Sequence, residues 1–217
     1  MMRIKRYREV VISCNGVEGR FIHADNSLFR TPKESAVIMD PPYGIGKAWG
    51  RTFHGSRGTS PLWKEGKERK WDTVNERVPI IAMEAVTCVI WGGNFYPLPP
   101  SRCWFVWDKL QTNRGADCEL AWVKADLAPK VFRMSRIDAY VNKATVPKIH
   151  PTQKPIPLIE WCIDQLNLPC SYQIWDPFMG SGTTGIASLR KGHPFIGIEN
   201  DKDIFEAAIP MIRKALC

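Results

Sequence analysis

Apolar positions along the chain gather into short runs that stop abruptly at polar or proline-rich residues. Ala36-Val37-Ile38-Met39 is unbroken and runs directly into Asp40-Pro41-Pro42-Tyr43. So short a continuous run, bounded by turn signals, predicts a strand buried on both faces. Cys88 to Trp91, closed by Gly92-Gly93-Asn94, follows the same rule, as do Tyr172 to Trp175 before Asp176 and Phe195 to Ile198 before Glu199. Cys103 to Trp107 ends at Asp108-Lys109, and Cys118 to Val123 and Val131-Phe132 add two more strand candidates. Residues 8–24 alternate loosely through Val10, Ile12, Phe21 and Ile22, and Asn15-Gly16 between them predicts a hairpin turn. The second hairpin strand ends at Ala24-Asp25-Asn26.

Between these runs the spacing becomes helical. Val78 to Thr87 forms one helix candidate. Ile156, Ile159, Ile163 and Leu166 form another, with Thr152 as its expected N-cap and Pro169 as its stop. Thr183 to Leu189 is a short helix ended by Lys191-Gly192. Asp201 is expected to cap a last helix running to about Leu216 and bent at Pro210. Strands alternating with helices predict an α/β fold.

Two stretches fall outside this pattern. From Gly44 to about Arg77 no apolar periodicity survives. Lys47, Arg51, His54, Arg57, Lys64, Lys67, Arg69 and Lys70 are interspersed there with glycines and with Trp49, Trp63 and Trp71. We expect a basic active-site loop over about 46–77, since a long loop in a compact domain is usually functional. Residues 110–148 form a second basic segment, with Arg114, Arg133 and Arg136 among its cations, and are expected to act in target recognition. The formal charge of +8 over 217 residues suits a polyanionic partner such as nucleic acid. Lys47, Arg51, Arg57, Lys64, Arg114, Arg133 and Arg136 are the expected phosphate contacts. The length fits one domain over residues 1–217. Seven scattered cysteines with no C-x-x-C pair, and four histidines away from ligand spacing, point to reduced thiols in the cytoplasm and to no metal. The N-terminus lacks an apolar signal core, and no run reaches the roughly 20 residues of a membrane helix.

The chemistry gathers at two strand ends. Asp40-Pro41-Pro42-Tyr43 sets a carboxylate, carbonyl oxygens free of competing N–H groups and an aromatic ring on a stiff loop. That set suits a flat group bearing an exocyclic amine. Gly180-Ser181-Gly182-Thr183-Thr184-Gly185 follows a strand and opens a helix, and Glu199 lies 19 residues after Gly180. This is a nucleotide-binding arrangement whose acid can reach ribose hydroxyls. It matches the dinucleotide pattern too, so an NAD-dependent oxidoreductase stays open. Asp176-Pro177-Phe178 just before the glycines would repel a pyrophosphate, however, and would welcome a cationic amino group. S-adenosylmethionine, with a ribose and an amino-acid head but no pyrophosphate, fits better.

Together, Asp40-Pro41-Pro42-Tyr43, His150-Pro151-Thr152-Gln153-Lys154-Pro155 and Asp176 to Thr184 resemble the amino-group DNA methyltransferases. Their order is similar to the permuted beta class, and the short phage- and prophage-type N6-adenine enzymes look closest. The likeness extends through Trp91 to Tyr96, Trp104 to Lys109 and Ala116 to Trp122, and covers most of residues 20–210. It implies a Rossmann-like, circularly permuted S-adenosylmethionine-dependent fold with a mostly parallel seven-stranded sheet and a short basic recognition insertion. The Gly-loop strand comes first in that sheet, the strand to Glu199 second, the one ending at Asp25 third and the one entering Asp40 fourth.

The resemblance also implies roles. Asp40, Pro41, Pro42 and Tyr43 would act on the base amino group. Asp176, Phe178, Gly180, Ser181, Gly182 and Thr183 would surround the methionine moiety. Glu199 would take the ribose, and Asn200, Asp201 and Asp25 would lie near the adenine. His150, Thr152, Gln153 and Lys154 would approach the methionine end, with His150 more structural than catalytic. Asp at the head of the motif is the adenine-type choice in this family, where N4-cytosine enzymes more often carry Ser. The partner implied is DNA, most naturally double-stranded, with the target base flipped out. RNA, N4-cytosine and a non-catalytic nucleic-acid-binding module remain alternatives, and beta-class relatives often form homodimers.

Overall fold

The computed structural model describes residues 7–44, 73–111, 116–142, 146–150 and 152–216. Nine strands form one sheet: β1 (Arg8–Cys14), β2 (Val17–His23), β3 (Ser35–Met39), β4 (Thr87–Trp91), β5 (Cys103–Asp108), β6 (Cys118–Lys124), β7 (Lys130–Arg133), β8 (Gln173–Asp176) and β9 (Phe195–Glu199). Among the described residues four α-helices accompany them: α1 (Arg77–Glu84), α2 (Ile156–Leu166), α3 (Thr183–Arg190) and α4 (Lys202–Leu216).

The strand order is β1-β2-β9-β8-β3-β4-β6-β5-β7. Pairing is parallel from β2 through β9, β8 and β3 to β4, antiparallel on both sides of β6, and parallel again between β5 and β7. The sheet is therefore nine-stranded and mixed, not the seven-stranded one expected. The two extra strands sit at its edges. Asn15 (φ 50°) and Gly16 (φ 80°) make a two-residue turn that can join only antiparallel neighbours, so β1 folds back onto β2. At the other edge, β7 pairs with β5 in register Phe105 to Lys130 through Asp108 to Arg133.

Strands β3 and β4 are buried along nearly their whole length, as their continuous apolar runs require. Their side chains alternate between two cores. Ile38 and Val89 join the face covered by α2, α3 and α4, where Ile159, Ile186 and Ile212 pack. Val37, Met39, Cys88 and Ile90 join the opposite face with Val78 and Ile81 of α1. Lys124 at the end of β6 donates to the carbonyls of Ala82, Met83 and Ala85 at 3.2, 2.9 and 2.7 Å, satisfying the C-terminal end of α1.

Helix α2 starts later than expected. Its N-cap is Pro155, with no side-chain cap, and the Thr152 hydroxyl meets Nδ1 of His150 at 3.0 Å instead. Pro at the first turn costs nothing, because its missing N–H would have no helical partner anyway. The capping expected of Asp201 is present: Oδ1 accepts from the backbone N–H of Asp203 (2.8 Å) and Ile204 (3.1 Å). Helix α4 continues through Pro210 without a break. Among the described residues, no helix is long and apolar enough to cross a membrane.

Candidate active site

Strands β8, β3 and β9 are parallel, so their C-terminal ends share one edge of the sheet. From β8 the chain proceeds through α3 to β9 on one side, while β3 proceeds to β4 on the other. A crevice must open where the connections diverge, the usual ligand site of such sheets. A cavity of about 550 Å³ lies there, walled by Asp40 to Tyr43, Asp176 to Ser181 and Glu199 to Asp201.

On the β8–β9 side the loop turns through Gly180 (φ 54°) and Gly182 (φ 80°). Asp176 is almost fully buried and accepts from the Phe178 N–H at 3.0 Å. Burial pushes its carboxyl up to about 7, against hydrogen bonds from Thr184 and Phe178. Glu199 accepts from the N–H of Gly180 (2.9 Å) and of Asp201 (2.7 Å), which locks the glycine loop onto the end of β9. Burial raises it as well, to about 7. Among the described residues neither acid forms an ion pair. The indole N–H of Trp91, another wall residue, is buried without a hydrogen-bond partner.

On the β3 side the groups are already joined. The Tyr43 hydroxyl donates to Oδ1 of Asp40. Lys154 Nζ lies 2.5 Å from Oδ2 of Asp40 and 3.1 Å from Oε2 of Glu119, and the lysine side chain is only 4% exposed. Lys109 reaches Oε1 of Glu119 at 2.8 Å. Burial raises the Asp40 carboxyl, and Lys154 only partly offsets this. Burial opposes charge on Glu119 too, but Lys154 and Lys109 prevail and hold it at about 2. The Tyr43 ring stacks on Phe95, with centroids 5.1 Å apart at 22°. Gly92 makes room for it: at φ 69°, a Cβ there would meet the ring at 2.0 Å. The Tyr96 hydroxyl donates to the Pro42 carbonyl, so that oxygen is engaged in holding the loop.

The cavity brings together Asp25, Asp40, Pro41, Pro42, Tyr43, His150, Thr152, Gln153, Lys154, Asp176, Phe178, Gly180, Ser181, Thr183, Glu199, Asn200 and Asp201. Gly182 is the exception among the residues expected to meet the base or the cofactor. A Cβ there would strike Ile212 of α4 at 2.5 Å, so this glycine serves helix packing. Asp25 also accepts from the Ser27 N–H at 2.8 Å, turning the chain after β2. Lys154 neither faces solvent nor lies free for a ligand carboxylate: it is committed to Asp40 and Glu119. Burial and the charges of Lys154 and Lys148 push His150 down to about 4, so the imidazole is neutral at pH 7. Lys47, Arg51, Arg57, Lys64 and Arg114 lie outside the described residues. Arg133 is exposed and pairs with Asp108 at 3.4 Å, and neither it nor Arg136 lines the cavity.

Sequence reasoning assigned no role to Glu119, Lys109, Trp91 or Asn26. The Asn26 amide donates to the Pro177 carbonyl at 3.2 Å and fastens the β2 loop to the glycine loop. Lys109 follows the apolar run of β5 and Glu119 precedes that of β6, a placement shared with many solvated residues.

A family model described as DNA methylase, for N6 and N4 methyltransferases, matches residues 90–210, more than half of the chain. Among curated proteins, the type II methyltransferase M2.LlaDCHI of Lactococcus lactis subsp. cremoris is 43% identical over 65 residues, which make up 30% of this chain and 24% of that protein. M2.DpnII of Streptococcus pneumoniae is 48% identical over 59 residues, or 27% and 22% of the two chains. The matched segments thus span about a quarter of these relatives' length. Among solved structures, M1.HpyAVI in complex with SAM superposes with a TM-score of 0.56 at 22% identity, covering 88% of this chain and 98% of that one. The cytosine-N4-specific PvuII DNA methyltransferase gives 0.54 at 17% identity, covering 90% and 86%. At such identities these likenesses speak for the fold.

Proposed function

Because the chain belongs to the N6/N4 DNA methylase family, we propose that it methylates the exocyclic N6 amino group of adenine in DNA, with S-adenosylmethionine as donor. The observation that carries this reading is the shared cavity: Asp40-Pro41-Pro42-Tyr43 at the end of β3 faces the Asp176–Ser181 loop and Glu199 across one crevice.

The residues present fit the donor. Asp176 is buried and Glu199 half-buried, neither has a cation among the described residues, and Trp91 holds an N–H without a partner there. A ligand with an ammonium group and ribose hydroxyls supplies what the two acids lack, and its carboxylate or ring nitrogens can accept from a buried donor. Asp176 and Phe178 would hold the amino-acid end, and Glu199 the ribose. Asp25, Asn200 and Asp201 would lie by the adenine. When bound, the cofactor supplies an electrophilic methyl group.

The protein's part is to shape the nucleophile. The lone pair of an exocyclic amine is delocalised into its ring. Asp40 and the Pro41 carbonyl each accept one amino N–H, drawing the nitrogen toward tetrahedral geometry and freeing that lone pair. Acceptors fixed before reaction act where positive charge develops. Tyr43, its plane set by Phe95, stacks on the base. The base reaches this pocket only after leaving the duplex. The basic loop over about 46–77 and the segment over about 110–148 serve phosphate contacts and target recognition, so binding weakens steeply with salt.

Incubation with labelled S-adenosylmethionine and unmethylated DNA, followed by nucleoside analysis, tests the proposal. N6-methyl-2′-deoxyadenosine is expected. N4-methyl-2′-deoxycytidine would move the target to cytosine, and no labelled nucleoside from DNA would remove the assignment.

A further inference from the structure

The ion pair on Asp40 sets a problem for the reaction proposed above. Asp40 must offer an oxygen to the substrate amino group, and the nitrogen that gains a methyl must lose a proton. Asp40 is the acceptor at hand. Both events weaken its hold on Lys154, one by turning Oδ2 away and the other by neutralising the carboxylate. The lysine cannot compensate by moving into water, because its side chain is 4% exposed. A buried ammonium left without a counter-ion is strongly disfavoured.

Glu119 answers this need. It projects from β6, outside the motifs at β3 and β8, and its Oε2 already lies 3.1 Å from the same Nζ. Its other oxygen is paired with Lys109 at 2.8 Å, and Lys109 is itself 7% exposed. Four charges therefore alternate in a row: Lys109, Glu119, Lys154, Asp40, the two ammonium groups buried and the two carboxylates half-buried. Two are positive and two negative, so the row is neutral at rest.

We propose that Glu119 is a positioning residue that takes over Lys154 when Asp40 engages the substrate amino group and accepts its proton. The inference rests on the methyltransferase reading. In the step, the nitrogen forms a bond to the methyl carbon while the carbon–sulfur bond breaks, and the thioether keeps the electron pair. The departing N–H proton passes to Asp40, and Lys154 stays an ammonium paired with Glu119. Asp40 then releases the proton to solvent as product leaves, and Lys154 returns to it.

The test compares E119Q, E119D and the double variant K109M/E119Q with the unaltered protein in single-turnover methyl transfer. Calorimetric titration with S-adenosylmethionine and thermal unfolding accompany each. E119Q is expected to lose about 100-fold in the transfer rate, with cofactor affinity within threefold. E119D, which keeps the charge, is expected to recover most of the rate. The double variant keeps the row neutral but has no second carboxylate for Lys154, so it should stay as slow as E119Q. A wild-type rate in E119Q, or recovery of the rate in K109M/E119Q, would overturn the proposal, the latter by showing that neutrality alone is needed. Should E119Q fail to fold, the double variant and E119D decide the same question. Absence of transfer by the unaltered protein would instead strike the functional reading itself.

Discussion

On the β8–β9 side of the cavity, Asp176 and Glu199 are carboxylates with backbone donors and, among the described residues, no cation, whereas on the β3 side Asp40 is held by Lys154 and Tyr43. Both sides hold acids largely withdrawn from water, and desolvation raises all three carboxyl groups. They differ in what a ligand must do. At Asp176 and Glu199 it adds partners that the fold leaves out, so binding relieves an existing penalty. At Asp40 it must exchange partners, so binding gains little and the gain is deferred to the reaction. This contrast fits a cavity in which one side retains a reagent and the other acts on a substrate.

Removing an acid from each side tests whether the two walls act separately. Asp40→Ala is expected to lower methyl transfer by at least ~1000-fold while changing S-adenosylmethionine affinity only a few-fold, as measured by nucleoside analysis and calorimetry. Equal losses in both readouts would mean that the two sides do not act separately. Asp176→Asn should do the reverse in binding, raising the dissociation constant by about 30-fold, or ~2 kcal/mol, through loss of a charge-assisted contact.

A pH series sharpens the same contrast. Asp176 and Glu199 are raised to about 7, and in the proposed complex they act on the cofactor as carboxylates. Cofactor affinity should therefore fall as pH is lowered from 8 to 6, by roughly tenfold for each acid and so about 100-fold together, measured by titration at constant ionic strength. In the ligand-free protein their sign is opposite. Between the ordinary carboxyl range near 4 and about 7, the folded state holds more protons than the unfolded, so these acids make stability decline as pH rises through that window. His150, depressed to about 4, works the other way as pH falls below its ordinary value. The smallest effect is expected far from both acids. Lys124→Met uncaps α1 and should cost about 1 kcal/mol in denaturant unfolding, with transfer rate and cofactor affinity unchanged.

Much of this architecture could be read from the chain because short-range rules govern it. The Asn15-Gly16 hairpin, the buried runs of β3, β4, β8 and β9, and the Asp201 cap follow from local sterics and hydrogen bonding. The walls of the cavity were legible too, because each lies directly after a strand whose end the sequence marks. Gly182 has a packing use that the sequence did not announce, because conformational freedom and close approach leave the same residue type in the sequence. Only the position of Ile212, thirty residues on, shows which neighbour it accommodates. Thr152 misled: its hydroxyl had two suitable partners, and His150 won over the helix end.

What the sequence determined by itself is the set of strand ends, the glycine loop and the acids that follow β8, β9 and β3. Periodicity, proline stiffness and turn chemistry act over a few residues. The tertiary structure alone decided the two added edge strands and the partners of those acids. Long-range pairing placed β6 antiparallel beside β4, and so carried Glu119 to the same ammonium that Asp40 holds from 79 residues earlier in the chain. Ionic partners so far apart leave no spacing in the sequence to betray them, because only the closure of the sheet puts their charges within reach.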